Sequence, residues 1–152
     1  MTTPDSFLTE TMISEAIGLE SSPVTSTIEA GAIIRFAQAI GDTNSIFNDE
    51  IMARKSRYGG LIAPPTFLRS MKTNAPKIPF EMPFDRILDA GSSWEYFQPV
   101  RANDAITAVG KIIDINERTG RLGLMVFMTT EISYTNQFSE LVATQVNTTI
   151  RY

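Results

Sequence analysis

The second half of the chain, from residue 87 onward, consists of long β-prone segments separated by short polar loops. Four strands are predicted, near residues 87–97, 105–117, 122–134 and 141–150. The polar stretches 116–120 and 135–140 are typical hairpin loops, so consecutive strands are expected to pair antiparallel. Because the helical patterns lie earlier in the sequence, we predict an α+β domain with a bent antiparallel sheet and its helices gathered on one face.

The first half of the chain contains the helical patterns. Apolar residues at three-and-four spacing predict a helix from about Glu29 to Ile40 that ends at Gly41, after a polar strand at 24–28 that suits a sheet edge. A second, buried helix is predicted to begin near Pro65 and to run to about Thr73, since proline is tolerated in the first turn of a helix.

The chain of 152 residues contains no cysteine and no histidine. This composition excludes disulfides, thiol nucleophiles, Ser-His-Asp triads and the usual His/Cys metal sites, and we expect no metal. The net charge of −4 provides no basic face for nucleic acid. No apolar run approaches the roughly 20 residues of a membrane span, and the N-terminus lacks a secretory signal pattern. We therefore expect a cytoplasmic protein that binds no membrane.

Three short strings, at residues 35–49, 58–67 and 97–104, occur in the order found in one family of thioester enzymes. The second reads Tyr-Gly-Gly-Leu-Ile-Ala-Pro-Pro-Thr-Phe, and the third reads Phe-Gln-Pro-Val-Arg-Ala-Asn-Asp. Together they resemble MaoC-like (R)-specific enoyl-thioester hydratases and dehydratases, and in particular their N-terminal-domain type, which includes substrate-binding subunits of heterodimeric dehydratases. Asn103 stands where the family has glycine, and asparagine tolerates the left-handed backbone expected there.

The resemblance implies the hot-dog fold, in which one long buried helix is wrapped by a bent antiparallel sheet. It covers nearly all of the chain from about residue 24, which implies a single domain over residues 1–152 with residues 1–22 as a peripheral extension. Family members pair through their sheets and place their pockets at the subunit interface. The expected ligand is an acyl-CoA or acyl-carrier-protein thioester, without a cofactor.

The first string departs from the pattern of catalytic members, Gly-Asp-x-Asn-Pro-x-His. In those members the Asp and the His hold a water and add it across the C2–C3 double bond of the acyl thioester. Asp42 and Asn44 match the pattern here, whereas Phe47 stands at the histidine position and cannot transfer a proton. Catalytic members also carry Ala-His-Gly-Met at the beginning of the buried helix, where the glycine N–H stabilises the thioester oxygen. Residues 63–66 replace that string, and Pro65 has no N–H.

The resemblance and the residue types together give three groups of candidate site residues. Asp42 and Asn44 are the catalytic candidates, with a loop cap and a turn-former as their structural alternatives. Arg54, Lys55 and Arg57 suit the phosphates of coenzyme A or an acidic carrier-protein surface, with a solvated charged face as the alternative. The substrate-binding candidates are Phe47, Tyr58, Gly60, Ala63, Pro65, Thr66 and Phe67.

Three functions fit these features. The first is a non-catalytic, substrate-binding subunit of a heteromeric (R)-specific enoyl-CoA hydratase or 3-hydroxyacyl-thioester dehydratase. Its catalytic residues would come from a second hot-dog chain with an intact Gly-Asp-x-Asn-Pro-x-His. The second is a homo-oligomeric hydratase, such as a homodimer, in which Asp42 alone handles the protons. The third is a catalytically silent module that binds acyl thioesters.

Overall fold

One antiparallel sheet and several short helices make up the structure, a computed structural model that describes residues 6–152. The helices are α1 (Glu10–Ala16), α2 (Ala30–Ala39), α3 (Ser45–Asn48), α4 (Glu50–Lys55) and a 3-10 helix (Pro65–Ser70). The strands are β1 (Val24–Thr27), β2 (Ile87–Tyr96), β3 (Ala105–Gly120), β4 (Gly123–Thr135) and β5 (Leu141–Arg151). Among residues 6–152, no helix is both long and apolar enough to cross a membrane.

The sheet has the strand order β1-β3-β4-β5-β2, and every neighbouring pair is antiparallel. This arrangement confirms the predicted α+β class and places the polar strand β1 at an edge. The loop predicted at 116–120 is wrong, because those polar residues continue β3 and Gly120 pairs with Gly123. Only Arg121 and Leu122 form the turn. Bulges near residue 113 in β3 and near residues 90–91 in β2 interrupt the regular pairing and bend these strands.

The helical layer is divided into short segments, where the sequence analysis expects one long buried helix. The longest, α2, has ten residues, buries Ile33 and Ala37, and is followed by Gly41 at φ 73°. The segment that begins at Pro65 forms a six-residue 3-10 helix instead of a helix that reaches Thr73. In its last turn the Ser70 hydroxyl donates to the Phe67 carbonyl at 2.6 Å, and the chain becomes extended at Met71.

Two hydrophobic clusters lie between the helical layer and the sheet. The larger joins α2, the 3-10 helix and the central strands, with Ile33, Phe47, Phe67, Leu68, Ile106, Tyr134 and Val142 among its buried members. The smaller lies at the far end of β3 and β4, where Leu8 and Ala16 pack on Ile115 and Val126. Residues 6–22, expected to be peripheral, thus contribute buried side chains to this second cluster.

The N-terminal residues are held to the sheet by one carboxylate. Glu117 accepts hydrogen bonds from the backbone N–H groups of Phe7 and Leu8, each at 2.9 Å, and from the Ser6 hydroxyl. Burial alone would raise the pKa of the Glu117 carboxyl, but the hydrogen bonds from Ser6, Leu8 and Phe7 outweigh it and hold the pKa below its ordinary value of 4.5.

The attachment of residues 6–8 should therefore depend on pH. A carboxyl group with a lowered folded-state pKa stabilises the fold above its unfolded-state pKa, and this contribution is lost as the pH falls through the folded-state value. We expect Phe7 and Leu8 to lose amide-exchange protection as the pH falls below 4.5. Hydrogen exchange measures the protection factors of these two amides. In Glu117→Gln the same protection factors should be low at every pH. Protection that persists in the native chain throughout acidification would contradict this expectation.

Candidate functional site

An apolar cleft of about 400 Å³ opens beside α3 and the 3-10 helix. Its apolar lining includes Phe47, Ile62, Ala63, Leu68, Phe97 and Val100, and its polar lining comes from Arg57, Gln98 and the tyrosines Tyr58 and Tyr96. Volumes of roughly 300–1,000 Å³, with mostly apolar walls and a few polar groups, are typical of small-molecule sites. The cleft therefore has the size and lining of a ligand site.

One wall of the cleft, which we call the cleft wall, is built from residues 58–63 and 97–103. The Ala63 N–H donates to the Val100 carbonyl at 2.8 Å, and the Ala102 N–H donates to the Leu61 carbonyl at 3.0 Å. The Arg101 guanidinium also donates to the Tyr58 carbonyl. The second and third sequence strings thus lie side by side, although about 40 positions separate them in the sequence.

The turn after the cleft wall is fixed by Asp104. Asn103 has φ 71°, which confirms the left-handed backbone expected at this position. The buried Asp104 carboxylate accepts from the Arg101 N–H at 2.8 Å and from the Gln137 side-chain amide at 3.0 Å. It therefore ties the cleft wall to the β4–β5 loop.

The hydratase-like loop after α2 is closed by its own side chains. The Asp42 carboxylate accepts from the Asn44 N–H at 2.9 Å, and the Asn44 side-chain oxygen accepts from the Ile46 N–H at 3.1 Å and caps α3. The Asn48 amide donates to the carbonyls of Asp42 and Asn44. Neither Asp42 nor Asn44 lines the cleft. Both side chains make the local bonds of the structural alternatives, and their part in proton transfer stays a prediction.

Phe47 and Pro65 occupy the two positions at which catalytic members of the resembling family carry catalytic groups. Phe47 belongs to α3, is 8% exposed and lines the cleft while packing in the larger cluster. Pro64 and Pro65 begin the 3-10 helix, and neither has an N–H to direct into the cleft. The cleft thus has an aromatic ring and a proline pair at the positions that the sequence resemblance aligns with a proton-transfer group and an oxyanion donor.

The structure distributes the other candidates over several places. Tyr58 and Ala63 line the cleft with Phe47 and Pro65, whereas Gly60 lines a second cavity, which other residues of the cleft wall border. Thr66 is exposed on the 3-10 helix. Phe67 is buried and packs edge-to-face on Phe36, with the ring centroids 5.4 Å apart.

The three basic candidates do not converge on one site. Arg57 lines the cleft, where its guanidinium lies 4.8 Å from the Tyr58 ring centroid and donates to the Tyr58 hydroxyl at 2.6 Å. Arg54 lines the second cavity and pairs with Glu50 at 3.7 Å. Lys55 is exposed and lines neither cavity.

A group of stacked aromatic rings, which the sequence analysis did not assign to the site, extends from the cleft toward the sheet. Tyr96 lines the cleft, and Trp94 stacks on both Tyr96 and Tyr134, at centroid distances of 5.9 and 5.6 Å. Burial raises the pKa of Tyr134 to about 12, and its hydroxyl donates to Gln145 at 3.2 Å. Burial also raises the pKa of Tyr96. A raised pKa keeps both phenols neutral near pH 7, so neither acts as a base there.

Comparison with known families decides the classification of the chain. A family model described as "FAS1-like, dehydratase domain region" matches residues 15–145. The chain belongs to this FAS1-like dehydratase-region family. It is also 32% identical to a UPF0336 protein of Streptomyces avermitilis over 107 residues, which are 66% of this chain and 71% of that protein. A UPF0336 protein of Saccharopolyspora erythraea is 30% identical over 141 residues, 88% of this chain and 87% of that one.

Solved structures show that this FAS1-like dehydratase-region chain has the hot-dog fold of MaoC-like hydratases and dehydratases, as the sequence predicts. The MaoC-like dehydratase of Rhodospirillum rubrum superposes with a TM-score of 0.70 at 24% identity, covering 90% of this chain and 92% of that one. A chain of the ChsH1-ChsH2 complex of Mycobacterium tuberculosis gives 0.73 at 18% identity, covering 93% and 87%. A chain of the C-terminally truncated HadBC (3R-hydroxyacyl-ACP dehydratase) complex of the same organism gives 0.70 at 22% identity, covering 89% and 96%.

The residues that line the cleft are suited to binding a ligand rather than to transferring protons. Its ionisable lining residues are Arg57, Tyr58 and Tyr96, and within residues 6–152 no carboxylate lines it. Arginine stays protonated and tyrosine stays neutral near pH 7, so neither is suited to accept a proton there.

Residues after β2 were missing from the candidates. Phe97, Gln98 and Val100 line the cleft, and they belong to the third sequence string. The third string was therefore the sequence pattern from which these cleft residues could have been predicted.

Proposed function

We propose that this chain is the substrate-binding, non-catalytic subunit of a heteromeric (R)-specific enoyl-thioester hydratase or 3-hydroxyacyl-thioester dehydratase. The observation that carries the proposal is the position of Phe47, whose ring forms part of an apolar cleft while Asp42 makes hydrogen bonds within its own loop. The cleft offers a ligand apolar surface without a group that transfers protons near neutral pH.

The apolar lining of the cleft supports an acyl chain as the ligand. Each methylene group that leaves water for an apolar wall contributes about 0.8 kcal/mol. Phe47, Ile62, Leu68 and Phe97 supply such a wall, and Arg57 and Gln98 offer hydrogen-bond donors for a carbonyl oxygen. A fatty acyl group attached through a polar thioester matches this combination.

The missing catalytic groups support a divided enzyme. Hydration needs a base for the attacking water and an acid for the enolate carbon, and positioned groups of this kind contribute typically 10²- to 10⁴-fold each. An oxyanion donor, which Pro65 cannot supply, contributes about another 3–4 kcal/mol. A second chain with an intact Gly-Asp-x-Asn-Pro-x-His would provide these groups.

The exposed edge strand β2 supports a partner next to the cleft. Every residue of β2 except Trp94 is exposed, and Ile87 and Leu88 are 55% and 45% exposed although both are apolar. An edge strand presents unpaired backbone N–H and C=O groups to another chain. Because Tyr96 ends β2 and lines the cleft, a chain docked along β2 would lie beside the bound thioester. Two of the similar structures are named as complexes, ChsH1-ChsH2 and HadBC, which supports a partner for this chain.

Substitution of Asp42 in a reconstituted complex tests the proposal. The partner would be a neighbouring-gene product with the intact hydratase motif, and the readout is turnover of an enoyl-CoA by the mixture. We expect Asp42→Asn to change turnover by less than about threefold, or ~0.6 kcal/mol, because Asp42 does not line the cleft. Alanine in place of the partner's motif histidine should lower turnover about 10³-fold.

The alternatives make opposite predictions for the same variants. A homo-oligomeric hydratase that uses Asp42 would lose its turnover in Asp42→Asn, with or without the partner. A silent binding module would bind acyl-CoA, and no mixture would show turnover that depends on this chain. Either result would overturn the subunit assignment.

A further inference from the structure

The second cavity, of about 270 Å³, is lined by other residues of the cleft wall. Gly59, Gly60 and Leu61 line it, while their neighbours Tyr58 and Ile62 line the acyl cleft. Neighbouring residues of one segment therefore line the two cavities.

Two arginines give the second cavity a net positive charge. Arg54 and Arg101 line it together with one carboxylate, that of Glu50. The Arg101 guanidinium is held in place by its bond to the Tyr58 carbonyl. Because this acceptor is neutral, it does not cancel the positive charge of the guanidinium. Arg54 and Glu50 are 3.7 Å apart on the exposed surface of α4, and such an exposed pair is weak enough for Arg54 to leave it for a stronger anion.

The backbone of the cavity is open where a ligand would lie. A Cβ atom built at Gly59 or Gly60 would meet nothing within 4 Å. The absence of side chains at these two positions leaves open space beside the backbone of a cavity that Arg54 and Arg101 also line. Planar guanidinium groups bind phosphate oxygens through paired, charge-assisted hydrogen bonds, which makes phosphate the anion best matched to this arrangement.

We propose that this second cavity binds a phosphate group at the end of the carrier arm of the thioester ligand. The link to a thioester carrier rests on the proposed function, whereas the phosphate site itself rests on Arg54, Arg101 and the open glycines. Arg101 lines the second cavity and bonds to the carbonyl of Tyr58, which lines the cleft, so the two cavities adjoin and we place one ligand across both. Coenzyme A and a phosphopantetheinylated carrier protein share this chemistry.

Calorimetric titration of the full chain with coenzyme A tests the site. Arg54→Ala should weaken binding about tenfold, since one charge-assisted contact is lost. Glu50→Gln should strengthen binding about threefold, because it removes the carboxylate that competes for Arg54. Lys55→Ala is the matched control: it removes the same charge from the same helix, but Lys55 lines neither cavity, so affinity should not change.

Two outcomes would overturn the site. Equal affinities of Arg54→Ala and Lys55→Ala for coenzyme A would mean that Arg54 acts only through its positive charge and makes no specific contact with the phosphate. A loss of affinity in Arg57→Ala but not in Arg54→Ala would place the phosphate in the cleft. Titration with inorganic pyrophosphate, and with a carrier protein with and without its phosphopantetheine, distinguishes the two sources of the phosphate.

The site and the subunit role fail in different experiments. Binding is measured on this chain alone, so an effect of Arg54→Ala without turnover in any mixture would remove the subunit role and leave the site. Turnover in the mixture with no difference between Arg54→Ala and Lys55→Ala would remove the site and leave the role.

Discussion

Replacing Phe47 by alanine should lower the free energy of unfolding by about 3 kcal/mol, at the low end of the range for phenylalanine because one side of the ring faces the cleft. The ring is 8% exposed and packs in the larger hydrophobic cluster. Thermal unfolding should shift downward by about 9 °C. Denaturant titration and calorimetry measure both quantities.

A matched control separates this effect from the loss of any aromatic ring. Phe138 lies at the β4–β5 loop and is 73% exposed, so Phe138→Ala should change the stability by less than about 0.5 kcal/mol. Equal effects of the two substitutions would contradict the packing of Phe47 in the larger hydrophobic cluster.

Restoring the family's histidine should not restore catalysis. We expect Phe47→His to give no turnover in this chain alone, because Asp42 bonds to the Asn44 N–H and Pro65 lacks a donor. Measurable turnover of an enoyl-CoA by the isolated variant would show that the loop after α2 still has a productive geometry.

Replacing Asp104 by alanine is expected to cost about 2 kcal/mol of stability. The substitution removes the acceptor of two hydrogen bonds, from the Arg101 N–H and from the Gln137 amide, and each such bond contributes about 0.5–1.5 kcal/mol when water can reach its donor, as it can at these two exposed residues. The cleft wall should also loosen, so acyl-CoA affinity should fall together with stability. Chemical denaturation and ligand titration of the same variant check both effects.

Two further variants define the cause of the Asp104 effect. Asp104→Asn keeps one acceptor but turns an amide toward Gln137, which cannot flip without losing its bond from the Ala105 N–H at 3.1 Å. It should therefore cost about 1 kcal/mol. Asp114→Ala, at an exposed position on β3, the strand that follows Asp104, should be nearly neutral. A stable Asp104→Ala would refute the tie between the wall and the β4–β5 loop.

The elements that the sequence predicted well are those set by local patterns. The apolar spacing of α2, its end at Gly41 and the β-prone segments after residue 87 each depend on neighbouring residues alone. The left-handed Asn103 was likewise predictable, because few residue types adopt that conformation. The polar end of β3 was mistaken for a loop, because an exposed two-stranded ribbon has the composition of a loop.

The site was less predictable because it depends on pairing between distant segments. Residues 58–63 and 97–103 form one wall only after folding, and only then do Tyr58 and Gly60 prove to face different cavities. Arg101 was missed for the same reason, whereas Arg54, Lys55 and Arg57 were grouped by their closeness in sequence. No local sequence pattern shows which of the two cavities a charged side chain will line.

Turnover of the purified chain with crotonyl-CoA and a longer enoyl-CoA is the measurement that tests the proposed function most directly. It should be run with and without a neighbouring-gene product that carries an intact Gly-Asp-x-Asn-Pro-x-His. We expect no turnover from this chain alone and turnover from the mixture. The ratio of turnover between the two substrates should differ between the partner alone and the mixture, because this chain binds the acyl group. Turnover by this chain alone would contradict the substrate-binding role and would mean that proton transfer proceeds here without a histidine.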